Sequence, residues 1–181
     1  MATIDLIVLG MLKDQALSAY DIQKLVEYRQ ISQWVKISTP SIYKKVLQLE
    51  EKGYITGTTT KEGKMPEKEI YSLTESGKME FDNLMLEIST QPIRIFLDFN
   101  AVMVNLDSLT PENRVRCICG IESSIQTLKK TLEDNLHVKE NKPDIPEAGY
   151  AVLQQQYMLV QAIETWLCSV KDNEASNRAR D

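Results

Sequence analysis

Up to residue 53 the apolar residues recur at helical spacing; from Tyr54 the chain turns β-branched, and few folds tolerate that switch so early. Tyr54 to Thr60 and Glu69 to Leu73 are two β-like runs. They flank Lys61-Glu62-Gly63-Lys64-Met65-Pro66-Glu67, a Gly- and Pro-containing tip, and read as a hairpin. Three helical segments precede it. The first, Ile4 to Lys13, takes Thr3 as its cap and Asp5 in its first turn, and it is apolar nearly all round, so it should be buried against several neighbours. The second opens at Ser18, which has capping-box spacing to Asp21, and shows a stripe at Ile22, Leu25 and Val26. The third has Ser38 or Thr39 as cap, Pro40 at the first helical position, a stripe at Ile42, Val46 and Leu49, and Gly53 as a left-handed terminator.

Helix, helix, helix, hairpin is the plan of a winged helix-turn-helix. Thr74 caps a fourth helix carrying Phe81, Leu84, Met85 and Ile88. Gln91-Pro92 breaks the chain, which divides it into 1–90 and 91–181. The second part is all helical. Ile93 to Leu106 has few charges and is expected to be buried. Thr110-Pro111-Glu112 starts a long helix toward Lys139, with Ile118, Ile121, Ile125, Leu128 and Leu132 at coiled-coil spacing. A last helix aligns Tyr150, Leu153, Tyr157, Val160, Ile163, Leu167 and Val170, and Asn173 to Asp181 is expected to fray. Packing these two helices on each other leaves Tyr150, Tyr157, Met158 and Trp166 to be covered, by a second copy of the chain or by residues 93–106. The fold class is therefore mainly α: an N-terminal winged helix-turn-helix with a two-stranded wing, then an all-helical C-terminal dimerisation domain.

Charge narrows the function. The 181 residues sum to −5, which by itself points away from nucleic acid. Residues 36–68, however, hold seven Lys against four Glu, and phosphate responds to local charge. That excess falls on the third helix and the hairpin, where a winged fold meets DNA. Three Cys and one His, His137 in a charged helical stretch, give no support to a disulfide framework, a metal site or a nucleophile-histidine pair. Neither a phosphate-binding loop nor a dinucleotide fingerprint is present. The expectation is a non-enzyme without cofactor, metal or catalytic residues. No apolar run reaches membrane length and the start lacks a basic leader region, so the expected location is the cytoplasm and no membrane partner is expected.

The segments Ser18-Ala19-Tyr20-Asp21-Ile22, Ser41-Ile42-Tyr43 through Leu49 to Gly53-Tyr54-Ile55, and Tyr71-Ser72-Leu73-Thr74-Glu75-Ser76-Gly77-Lys78 resemble the PadR family of bacterial transcription regulators, in the branch that includes the phenolic-acid repressors. Two positions depart: Ala19 stands where the family commonly has Gly, and Lys44 where Pro is frequent. The resemblance implies a homodimer joined through the C-terminal helices, a palindromic double-stranded DNA operator, and a repressor released by a small, often aromatic, effector. On this reading Tyr20, Ser38, Thr39, Ser41, Tyr43, Lys44, Lys45, Lys61, Lys64 and Lys68 are the DNA-contact candidates. Each has a plainer reading: Tyr20 and Tyr43 as packing, Ser38, Thr39 and Ser41 as capping, the lysines as solvated surface. Phe96, Phe99, Tyr150, Tyr157 and Trp166 are candidates for an effector cavity near the dimer interface, or simply core. The alternative to a DNA-binding regulator is a winged-helix module that docks another protein through a similar stalk.

Overall fold

The computed structural model describes residues 2–35, 37, 41–61, 67–140 and 145–178. It divides into two compact units, Met1–Arg94 and Ile95–Asp181.

The first unit runs α1 (Ala2–Leu12), α2 (Ala19–Tyr28), a single 3-10 turn (Ile31–Gln33), α3 (Ser41–Glu51), β1 (Ile55–Thr60), β2 (Lys68–Leu73) and α4 (Glu75–Ser89). β1 and β2 pair antiparallel in the register Ile55↔Leu73 to Thr60↔Lys68. The α1–α2 connection adds an isolated bridge, Leu17↔Tyr71, so the base of the hairpin is pinned to the helical layer. Val8, Leu9, Ile22, Val26, Ile42, Val46, Leu49 and Ile55 form a continuous core with Tyr71 and Leu84. The start of α1 corrects one expectation: Thr3 lies inside the helix rather than capping it. A helix enclosed by core contacts is held by packing and does not depend on a cap.

Local signals elsewhere act as expected. Ser18 and Asp21 close both halves of the capping box. Gly53 has φ +75°, and its N–H donates to Glu50 O (2.8 Å) while Tyr54 N–H donates to Leu49 O (3.0 Å). That is a Schellman ending, in which the glycine takes the left-handed position that costs a side chain dearly.

The second unit holds α5 (Asn100–Met103), a second 3-10 turn (Leu106–Ser108), α6 (Pro111–Lys139) and α7 (Glu147–Arg178). Thr110 caps α6 and Pro111 occupies its first turn. α6 and α7 are antiparallel partners: Glu122 pairs with Lys171 (2.8 Å), Lys129 with Glu164 (2.7 Å), and the Tyr157 hydroxyl donates to Glu133 (2.6 Å). Ile118, Ile121, Ile125 and Leu132 are buried against Val160 and Leu167. The seam is thus used within one chain, and Leu128 is excluded from it, half-exposed. A straight helix drifts about 20° per heptad, which carries one position of a strict three-four pattern off the contact line.

Two further expectations are corrected. Ile93 to Leu106 is not a buried helix: Ile93, Ile95, Phe96 and Val104 are exposed and only Leu106 is buried. Only four residues of that stretch are α-helical, too short to bury a stripe on their own. At the other end, α7 continues to Arg178 rather than fraying at Asn173. Among the described residues, no helix is long and apolar enough to cross a membrane, and no group of three or more His, Cys, Asp or Glu side chains is placed to hold a metal.

Candidate nucleic-acid interface

The spacing of Ile42, Val46 and Leu49 decides how α3 sits. All three are at most 1% exposed, so the opposite face, with Tyr43, Lys44 and Leu47, must look outward. Three polar ties then fix the helix. On one flank Lys45 Nζ lies 2.7 Å from Asp5 Oδ1 of α1, both side chains being little exposed at 12% and 13%. On the other, Glu50 accepts the Gly57 N–H of β1 (2.9 Å), which couples the helix to the wing.

The third tie is at the C-terminal end. The Thr74 hydroxyl lies 2.7 Å from Gly53 O and accepts the Gly77 N–H (3.0 Å), and Ser76 donates to Gly53 O (2.9 Å). Gly77 is required there because a Cβ at this position would run into the Tyr54 carbonyl oxygen. The Thr-Glu-Ser-Gly run is therefore a lock between the end of α3 and the start of α4.

The wing is tied to α2 as well. Lys68 Nζ lies 2.7 Å from Asp21 Oδ2, in the same carboxylate that closes the capping box. The hydrogen bond from Lys68 is the main reason that Asp21 stays below its usual carboxylate range; Ser18 adds to it and partial burial opposes it. Beneath the wing the Tyr71 phenol donates to Glu69 (2.9 Å) and is pushed up to about 12, first by burial and then by that carboxylate. Tyr20, Tyr43, Val46, Leu47, Lys68 and Tyr71 line an open cleft of about 800 Å³ between α2, α3 and the wing base.

The sequence candidates divide against this geometry. Tyr43 and Lys44 stand outward on α3, Tyr20 faces the same cleft with Lys24 Nζ 5.5 Å from its ring centre, and Ser41 is partly buried at the start of the helix. Lys45 is not an available cation, because its position between α3 and α1 consumes it in the ion pair with Asp5. Lys61 is exposed beside Glu67 at 3.5 Å, and Lys68 is held by Asp21. Ser38, Thr39 and Lys64 lie outside the described residues. Leu47 escaped the sequence reading, although an apolar residue off the 42/46/49 stripe was the available signal. Glu50 and Gly77 escaped it too, since their partners are distant in sequence or on the backbone.

The five aromatic candidates of the second unit do not converge. Phe99 stacks on Trp166, with ring centres 5.7 Å apart. Tyr157 is engaged by Glu133, and that hydrogen bond foremost raises its phenol above the ordinary value. Phe96 is 80% exposed. Tyr150 and Trp166 share α7 but lie about 24 Å apart along it at the helical rise, too far to line one small cavity.

Residues 8–83 match the model of the transcriptional regulator PadR-like family. The negative transcriptional regulator PadR of Bacillus subtilis is 36% identical over 86 residues, 48% of this chain and 46% of that protein, so the match spans about half of that relative's length. Bacillus subtilis PadR solved in complex with operator DNA superposes with a TM-score of 0.78 at 26% identity, over 93% of this chain and 96% of that one. The same protein in complex with p-coumaric acid gives 0.74 at 21% identity, over 92% of each chain. With its winged-helix core, two-stranded wing and helical C-terminal unit, this chain is similar through residues 8–83 to the PadR-like family of transcriptional regulators, and over nearly its whole length to the fold of Bacillus subtilis PadR.

Proposed function

We propose that this regulator is a homodimer that binds a palindromic DNA operator sequence-specifically and represses until a small aromatic effector releases it. Residues 1–90 act as the DNA-binding domain and residues 91–181 as the dimerisation domain. The observation that carries this reading is the state of α3: one face locked into the core and tied on three sides, the other open with Tyr43, Lys44 and Leu47. A groove-reading helix needs that rigidity, because a misplaced contact loses its geometry.

Support comes from three further directions. The operator complex of Bacillus subtilis PadR supports duplex DNA as the partner, and the curated relative's description as a negative regulator supports repression. Its p-coumaric acid complex supports an aromatic effector. In the second unit, exposed Phe96, Val104, Met158 and Leu159 are apolar surface that a second copy would cover. Two copies would set two α3 helices on half-sites about 34 Å apart. Phe99 and Trp166, already stacked, are the effector candidates that remain together. The effector must bind the released form more tightly than the operator-bound form.

Fluorescence anisotropy of the chain with duplex from its own upstream region, at about 50 and 200 mM salt, tests this. Phosphate contacts predict a steep loss of affinity between the two, with a log-log slope of about −0.9 per contact. Lys44, which among the described residues has no carboxylate partner, should flatten that slope by about one contact when changed to Ala, with helix content unchanged. Binding insensitive to salt, or none, would favour a protein-docking wing instead.

A further inference from the structure

Leu47 is hard to account for as packing. Its neighbours on the inner face of α3 are fully buried, yet it is 54% exposed, one turn after Tyr43, which is 45% exposed. The two form a continuous apolar strip beside Lys44, on the rim of the cleft that Tyr20 also lines. A rigid, outward apolar strip on the helix offered to a major groove has one chemical counterpart there. Base edges there present hydrogen-bond donors and acceptors except at the pyrimidine C5 position, and only thymine carries a projecting apolar group at that position, its C5-methyl. Set against a polar edge, the leucine would strip water from donors or acceptors and return nothing.

Resting on the DNA-binding reading above, we infer that Leu47 is a specificity-determining residue that reads a thymine methyl, so that each half-site carries an A·T pair opposite this point of α3. Residues four apart on a helix are separated by about 6 Å along its axis, a little under two base steps of about 3.4 Å each. Tyr43 and Leu47 therefore face neighbouring base pairs, and the methyl sits one or two steps from the phosphate or base that Tyr43 meets. Selectivity here comes from shape and burial rather than from a hydrogen-bonded fork, which suits a helix whose outward face carries no arginine.

The test uses the full chain and a duplex enriched by it from a random DNA pool. Each thymine of the enriched site is replaced in turn by deoxyuridine, which removes the methyl and keeps every hydrogen bond. The wild-type chain should lose about fourfold in affinity at one thymine per half-site, the transfer value of one buried methyl group. Leu47→Ala should bind the thymine duplex more weakly by a similar factor and show no further loss on deoxyuridine, with an unchanged melting curve. Equal binding of every deoxyuridine duplex by the wild type, or undiminished sensitivity in Leu47→Ala, overturns the inference. Failure to enrich any duplex overturns the DNA-binding reading itself, and the role of Leu47 with it.

Discussion

In residues 1–94 the apolar side chains converge on one closed core, whereas in residues 95–181 they are drawn out along a two-helix seam. Eight of the nine largest fully buried side chains named among the described residues belong to the first unit and only Val160 to the second. The first unit also closes its polar ends with a capping box at Ser18, a Schellman ending at Gly53 and the Thr74–Ser76 lock. The second relies on one seam, fastened among the described residues by cross-helix polar pairs that include Glu122–Lys171, Lys129–Glu164 and Tyr157–Glu133, and it leaves Phe96, Val104 and Met158 exposed. The lesson is a division of labour. On the proposed function, the surface that presents fixed atoms to DNA is built self-sufficient, while the surface that would join a copy of itself is left unfinished.

The largest expected effect breaks the first unit alone. Gly77→Ala drives a methyl into the Tyr54 carbonyl and should cost about 3 kcal/mol or more. Urea unfolding followed by circular dichroism should then show early loss of the N-terminal transition with α6–α7 helicity retained. A single, unshifted transition would mean that the lock is dispensable.

The next comparison sets Leu49→Ala against Leu167→Ala, both being buried leucines, one in each unit. Each should cost about 2–5 kcal/mol. The Leu49 variant's midpoint should be independent of protein concentration; that of Leu167 should rise with concentration, because the proposed dimerisation would contribute to its fold by mass action. If both behave alike, the second unit is as self-contained as the first.

The smallest effect sharpens the polar side of the contrast. Asp21 titrates below its ordinary value of 3.8 in the folded chain, so its ionised form is the one that folding favours. The stability it lends is complete above about pH 4 and disappears as the pH falls through the depressed value. Asp21→Asn should therefore cost about 1 kcal/mol at neutral pH, the worth of a helix cap, and almost nothing at the acid end. A cost that does not change with pH would remove the carboxylate–Lys68 tie from the account.

Much of the first unit was legible because its determinants are local. The Ser18–Asp21 box, the 42/46/49 stripe, Gly53 and the β-branched hairpin each act within a few residues. What was hidden depends on residues far apart in sequence. Nothing local marks Lys45 as the partner of Asp5, and so a buried strut looked like one more lysine for phosphate. The same holds for Glu50 with Gly57 and for Gly77 with the Tyr54 carbonyl. In the second unit, the three-four pattern of α6 was readable, but whether it paired within or between chains was not, since both satisfy the same spacing. The five aromatic residues do not all meet within one chain for a related reason: helical spacing fixes the face a residue occupies, while distance along the axis decides whether two of them can meet.

The central claim is that one open, locked helix face is used twice on DNA because two C-terminal units join. Native mass spectrometry of the chain mixed with its enriched duplex reads that directly. The account predicts two chains per duplex and a free protein of twice the chain mass. A complex holding one chain, or a protein that stays monomeric with and without DNA, would contradict it.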